Sequence, residues 1–307
     1  MKHIYKNIVL ITFMSMVLLG CKNDTESNGK PNIVTTTTMI TDLVKAIGGD
    51  QINVQGLMGS GVDPHLYKAS EGDVTKLANA DLIFYNGLHL EGKLVEVFEK
   101  MESQNIKTVA VSEAIDKGTL IGSDYFQSNY DPHIWFDMGY WSEVGKYVTE
   151  TLKALDAENA SYFETNWKTY KAQLDALKNE INATIEGLPK EQRILVTAHD
   201  AFNYFGRAFD FEVVGLQGLS TATEAGVQDV QNLAAFIIEK KVKAIFVESS
   251  VPKRTIEALQ AAVKSKGHEV TIGGTLYSDA LGDAGTVEGT YIGMFKYNVN
   301  TIVNALK

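Results

Sequence analysis

One stretch of the sequence decides how the rest of the chain is interpreted: residues 156–188, DAENASYFETNWKTYKAQLDALKNEINATIEGL. Its apolar residues recur at steps of three or four, which is the period of one face of an α-helix. They are Phe163, Trp167, Tyr170, Leu174, Leu177, Ile181, Ile185 and Leu188. Gly187 and Pro189 then provide a stop signal. The stretch predicts a helix of about 45 Å, at roughly 1.5 Å per residue.

A coiled-coil seam and an ordinary long core helix are the alternative interpretations of this stretch. The pattern covers only about four heptads, and strand and helix patterns alternate on both sides of it. Such alternation predicts parallel sheets wrapped by helices. We therefore expect an α/β fold of two lobes, residues 32–155 and 189–307, joined by one long rigid helix, residues 156–188.

The N-terminus carries the pattern of an exported protein. Lys2 and Lys6 precede a mostly apolar run, Ile8 to Leu19, that is too short to span a bilayer as a mature helix. The run ends in Leu-Leu-Gly before Cys21, which resembles the lipobox of bacterial lipoproteins. We expect residues 1–20 to be a signal peptide, Cys21 to be lipidated, and the polar residues 21–31 to be a flexible tether. A buried or reactive thiol is the alternative for Cys21.

Charge and cysteine content exclude several classes of function. The formal net charge is −10, which argues against nucleic acid and anionic membrane surfaces as main partners. Cys21 is the only cysteine, so the chain has neither a disulfide nor a cluster of thiolate metal ligands. An acidic balance suits a protein that attracts cations.

Three histidines and one aspartate share a position in the predicted fold. His65, His133 and His199 lie in loops at the carboxyl ends of predicted strands, and Asp279 lies in a fourth such loop. In open α/β sheets this is the edge where ligands bind. Three imidazoles and a carboxylate can hold a divalent metal ion. A single loop histidine is more often an ordinary surface residue, so the inference depends on the shared position.

Six motifs make the interpretation specific. In chain order they are GSGVDPHLY (59–67), NGLHLE (86–91), DPHIW (131–135), HDAF (199–202), ESS (248–250) and SDALG (278–282). Their order resembles that of the zinc/manganese solute-binding lipoproteins of bacterial ABC importers, the TroA-like family. The resemblance covers nearly the whole mature chain. It implies two α/β lobes joined by a long helix, with His65, His133, His199 and Asp279 as metal ligands.

The donor types bear on the choice of metal. Imidazole suits zinc, whereas carboxylates suit manganese, and zinc also stands higher in the affinity order. The third of the four ligands that the resemblance implies is His199. An imidazole at this position favours Zn²⁺ as the transported ion, with Mn²⁺ as the alternative. The loop from 112 to 130 has no histidine, unlike the His-rich loop of many zinc-specific members.

Four acidic residues are expected to support the ligands. A metal-bound histidine usually donates its other ring N–H to a carboxylate or a carbonyl. Asp63, Asp131, Asp200 and Glu248 lie near the ligands in sequence or in the predicted fold. Turn formation or helix capping is the alternative role for each of them.

Together these features predict a binding protein. We expect a monomer, held outside a bacterial membrane by the anchor at Cys21, that captures one divalent ion and delivers it to an ABC permease. A zinc-dependent hydrolase and a surface adhesin are the alternatives. No H-E-x-x-H motif or nucleophile arrangement favours an enzyme. A single stiff helix between the lobes predicts that release uses small tilts and not wide hinge closure.

Overall fold

The computed structural model describes residues 29–124, 126 and 128–307. The expected signal peptide, Cys21 and residues 21–28 of the expected tether lie outside them. Pro31–Lys307 is one compact unit. None of the helices in the described part of the chain has both the length and the hydropathy that crossing a membrane requires.

The described part of the first half contains a four-stranded parallel sheet of order β2-β1-β3-β4. Its strands are β1 (Asn32–Thr35), β2 (Asn53–Gly56), β3 (Leu82–Tyr85) and β4 (Lys107–Ala110). Around it lie α1 (Thr38–Gly48), α2 (Glu71–Ala78), α3 (Val95–Ser103) and α4 (Met138–Leu155). The central strand β3 is a continuous apolar run because helices cover both faces of the sheet.

The second half has two parallel strand pairs, each of two strands. Strands β5 (Ile194–His199) and β6 (Glu212–Gln217) form one pair, and β7 (Ala244–Glu248) and β8 (Thr271–Leu276) form the other. Strand β5 lies beside β7, so both pairs end at the same edge. The helices here are α6 (Asn203–Phe209), α7 (Val227–Lys240), α8 (Arg254–Ser265) and α9 (Tyr291–Leu306).

The long helix is α5, Ala160–Glu186, which is shorter at both ends than the predicted 156–188. The carboxylate of Asp156 accepts hydrogen bonds from the backbone and side-chain amides of Asn159, forming a turn between α4 and α5. All the predicted apolar positions from Phe163 to Ile185 are buried. Trp167 packs against α4 so closely that a Cβ on Gly145 would lie 2.2 Å from its ring.

One hydrophobic core runs through both halves of this unit. It contains residues from β1, α4, α5, β5 and α9. The rings of Trp141 on α4 and Tyr291 on α9 stack with centroids 5.0 Å apart. The long helix therefore packs along the molecule as part of the core, and the carboxyl ends of the strands from both halves meet beyond it.

Candidate metal centre

Strand ends from both halves bring four donor side chains together. His65 lies in the loop after β2, His133 precedes a short turn at Ile134–Phe136, and His199 is the last residue of β5. Asp279 lies in the loop after β8. One donor atom from each of the four lies within 4.8 Å of the others. Two thus come from before the long helix and two from after it.

The distances in the cluster suit one small cation. Asp279 Oδ2 lies 3.2 Å from His199 Nε2 and 3.7 Å from His65 Nε2, and Asp279 Oδ1 lies 3.6 Å from His133 Nε2. Ligands about 2.05 Å from a tetrahedral zinc ion are about 3.3 Å from one another. The distances between Asp279 and the three rings are therefore similar to the ligand spacing around a single zinc ion.

The donor atoms are buried and lack hydrogen-bond partners. His65 is 4% exposed, Asp279 is 1% exposed, and His133 and His199 are 0% exposed. Among the described residues, the Nε2 atoms of the three histidines and both carboxylate oxygens of Asp279 have no hydrogen-bond partner. Buried polar atoms are rarely left without one. A bound cation would satisfy all five atoms at once.

Two carboxylates orient two of the rings. Asp131 Oδ1 accepts hydrogen bonds from the backbone N–H of His133 at 2.9 Å and from its Nδ1 at 2.7 Å. Glu248 does the same for His199, with its Oε1 2.9 Å from the backbone nitrogen and its Oε2 2.6 Å from Nδ1. Since an ionised carboxylate only accepts, each Nδ1 is the donor of its hydrogen bond, which leaves each Nε2 as the atom that faces the cluster.

The other two predicted supporting residues have different partners. Asp63 Oδ1 accepts the backbone N–H of His65 at 2.9 Å, and its Oδ2 accepts the hydroxyl of Thr221. Asp200 does not meet the expectation, because its Oδ1 accepts the backbone N–H of Gly215 at 3.0 Å and bonds no ligand ring. Asp63 therefore supports the backbone of a ligand loop, while Asp200 joins the ends of β5 and β6.

Three further residues complete this support. Asn203 Nδ2 donates to Asp131 Oδ2 at 3.1 Å, and the hydroxyl of Tyr204 donates to the carbonyl of Asp131 at 2.9 Å. Trp135 Nε1 donates to the carbonyl of Ser278, next to Asp279, at 3.0 Å. These partners are more than 70 positions apart in the chain, so local spacing cannot indicate them.

The charges in the cluster interact strongly. Burial lowers the pKa of His65 to about 3, so this ring is neutral at physiological pH. Burial alone would also lower the pKa of His199, but Glu248 and Asp279 outweigh it and raise that pKa well above its ordinary value. The pKa of Asp279 is lowered, since the three imidazoles outweigh its burial. Without a metal, the cluster thus holds an ion pair between His199 and Asp279.

Comparison with known proteins agrees with this geometry. Residues 33–305 match the family model described as "Zinc-uptake complex component A periplasmic". The chain is 52% identical over 283 residues to the zinc-binding protein TroA of Treponema pallidum, covering 92% of this chain and 91% of TroA. It is 46% identical over 302 residues to the manganese-binding lipoprotein MntA of Bacillus subtilis, covering 97% of each chain.

A third relative and a solved structure extend the comparison. The manganese ABC transporter substrate-binding lipoprotein PsaA of Streptococcus pneumoniae is 32% identical over 309 residues, which cover 97% of each chain. The structure of periplasmic zinc-binding protein TroA from Treponema pallidum matches with a TM-score of 0.88, covering 91% of this chain and 99% of that one. The resemblance found in the motifs is confirmed, as is the α/β fold class. The chain belongs to the family of periplasmic zinc-uptake complex component A proteins.

Proposed function

We propose that this protein binds one divalent transition-metal ion through His65, His133, His199 and Asp279 and delivers it to the permease of an ABC importer. The observation that carries the proposal is the convergence of three imidazole nitrogens and one carboxylate, all buried and without hydrogen-bond partners among the described residues. The names of the relatives support the role, since they describe zinc-binding and manganese-binding proteins and substrate-binding components of ABC transporters.

Zinc is the favoured ion on the chemistry of the donors. Three of them are imidazole nitrogens that face the site, and imidazole is a ligand that suits zinc. Manganese prefers more oxygen donors, and Asp279 offers it two. A competition titration of Zn²⁺ against Mn²⁺ should give the lower Kd for Zn²⁺, and an equal or lower Kd for Mn²⁺ would overturn the preference.

The same reasoning assigns the chain no catalytic role. Four protein donors leave a tetrahedral zinc ion without the open position that a hydrolytic water occupies. A zinc hydrolase would turn over ester or peptide substrates and stop when the metal is chelated. The names of the relatives give no support to the hydrolase.

The place of action follows from the N-terminus. We propose that the chain works outside the cytoplasmic membrane as a monomer of two lobes, 32–155 and 189–307, with Cys21 as the lipid-bearing residue. Two relatives are named as lipoproteins. Mass spectrometry of the mature protein from a bacterial host should detect an N-terminal peptide that begins at a lipidated Cys21.

Metal titration with matched variants tests the site. The wild-type protein should bind one Zn²⁺ per chain, and an ion present at about 100 times its Kd should add about 2.7 kcal/mol to the free energy of unfolding. Replacing His199 by Ala should weaken binding severely. The control is His268→Ala, because His268 lies between α8 and β8 and outside the cluster. Equal zinc affinities for the two variants would contradict the site assignment.

A further inference from the structure

A cavity of about 320 Å³ lies against the four-donor cluster, and it is formed by both halves of the chain. Of the four donor residues, only His65 lines it. The first half also contributes His89 and Lys93, and the second half contributes Ser220 and Thr223. The cluster is almost wholly buried, so His65 is the donor residue through which this cavity adjoins it.

His89 is a second imidazole in the wall of that cavity. Its side chain is half-buried, and its ring meets the ring of Phe126 edge-on with centroids 6.2 Å apart. A Cβ on Gly92 would lie 2.7 Å from His89 Nε2. A larger residue at position 92 would therefore push the ring away, and glycine there leaves room for the imidazole beside the cavity.

The backbone that presents His89 has an uncommon conformation. Gly87, Leu88 and His89 have φ angles of 83°, 51° and 63°. Glycine adopts such angles freely, but Leu and His are disfavoured there and need support from surrounding contacts. Two consecutive non-glycine residues in this region indicate that the fold holds the turn in place.

The support comes from a buried carboxylate and from the metal-site loop itself. Glu91, which is 2% exposed, accepts hydrogen bonds from the backbone N–H of Asn86 at 2.7 Å and from the hydroxyl of Thr36 at 2.6 Å. The side chain of Asn86 donates to the carbonyl of Pro132, the residue before His133, at 2.9 Å. The turn that bears His89 is thus tied directly to the loop that bears a donor.

We propose that His89 is a transient metal ligand that transfers the divalent ion between solvent and His65. This inference rests on the proposed function. A hydrated ion cannot reach the buried donors without losing water molecules, and an imidazole in the cavity wall replaces one of them before His65 takes over. Lys93 carries the positive charge of the lining, but it is exposed, so solvent and salt screen it.

Kinetics distinguish a transient ligand from a resident one. The test compares the wild-type protein with two variants, His89→Asn and His89→Gln, and with the control His268→Asn. Asparagine suits the left-handed backbone at position 89. Stopped-flow tryptophan fluorescence follows Zn²⁺ binding, since the Trp135 and His133 ring centroids lie 5.3 Å apart. Excess chelator measures release. Both His89 variants should bind and release zinc about tenfold more slowly, which corresponds to about 1.4 kcal/mol in each barrier, with Kd unchanged.

Three other outcomes would overturn the inference. Rates equal to those of the wild-type protein and the control would remove His89 from the path. A raised Kd with an unchanged rate of binding would make His89 a ligand of the resting site. A wild-type protein that binds no zinc would reject the proposed function itself, whereas the first two outcomes leave that function standing. If His89→Asn fails to fold, His89→Gln provides the same comparison.

Discussion

Replacing Glu248 by Gln should disturb the metal centre through one hydrogen-bonded ring. Both oxygens of Glu248 accept hydrogen bonds from His199, one from the backbone N–H at 2.9 Å and one from Nδ1 at 2.6 Å. A glutamine of the same shape has one oxygen and one NH₂ group, so it can accept only one of these bonds. If the NH₂ group faces Nδ1, the ring must carry its proton on Nε2, the atom that should bind the metal.

The size of the effect follows from these two arrangements. Losing the partner of a ligating imidazole commonly lowers metal affinity 10- to 100-fold, or by about 1.4 to 2.7 kcal/mol. If the oxygen of the introduced glutamine instead faces Nδ1, the backbone N–H of His199 is left buried and unpaired at a cost of about 1 to 3 kcal/mol. We therefore expect Glu248→Gln to weaken zinc binding at neutral pH by at least about tenfold.

The difference in zinc affinity between Glu248→Gln and the wild-type protein should become smaller as the pH falls. The carboxylates of Glu248 and Asp279 outweigh burial and raise the pKa of His199, so zinc must displace a proton from the wild-type site. Below that pKa, each pH unit weakens binding by about 1.36 kcal/mol. Glu248→Gln removes one carboxylate and lowers the pKa of His199. The variant therefore meets proton competition only at lower pH, and the two affinities approach each other.

Competition with a chromophoric zinc chelator at several pH values measures both effects. Glu269→Gln is the control because Glu269 is exposed and lies outside the cluster. Two results would refute the reasoning. One is a zinc affinity of Glu248→Gln that equals that of the control at neutral pH. The other is an affinity difference between variant and wild type that grows on acidification.

Two further predictions concern the stability of the protein. Because the pKa of His199 is raised in the metal-free fold, its stabilising contribution is complete below the ordinary histidine pKa of about 6.5 and is lost as the pH rises through the raised value. The melting temperature of the metal-free protein should fall over that window, and a flat profile would contradict the ion pair with Asp279. Gly145→Ala should lower the free energy of unfolding by about 1 to 3 kcal/mol, because the new methyl group would lie 2.2 Å from the Trp167 ring. Urea denaturation checks this against Gly59→Ala, where a Cβ would meet no atom within 4 Å, and equal stabilities would show that α4 shifts without loss.

Local patterns predicted the main elements well. The spacing of apolar residues identified the long helix because its buried face repeats without interruption from Phe163 to Ile185. The ends were less accurate, since they depend on caps. Helix α4, for example, begins at Met138 because the side chain of Asp137 accepts the backbone N–H groups of Gly139 and Tyr140.

His133 lies in a long loop after β4, but His65, His199 and Asp279 lie at or just after strand ends. Parallel strands place these ends at one edge, so the grouping of the candidate donors could be predicted. The contacts that orient the donors could not. Glu248 lies 49 positions from His199, and Thr221 lies 158 positions from Asp63. Such pairs depend on how the two halves pack, which no local pattern records. Asp200 shows that closeness in sequence can also mislead. It is next to His199 in the chain, but its carboxylate accepts a hydrogen bond from the backbone N–H of Gly215.

The continuous core has a consequence for protein engineering. Trp141 and Tyr291 come from different halves of the chain yet stack in one core with residues of α5. A chimaera that joins the first half of a zinc-binding relative to the second half of a manganese-binding one would cut through this packing and leave mismatched apolar surfaces. We therefore expect such a chimaera to lose stability, which would obscure any change in metal preference. Exchange of individual donor residues leaves most of the core intact and is the more practical way to change it.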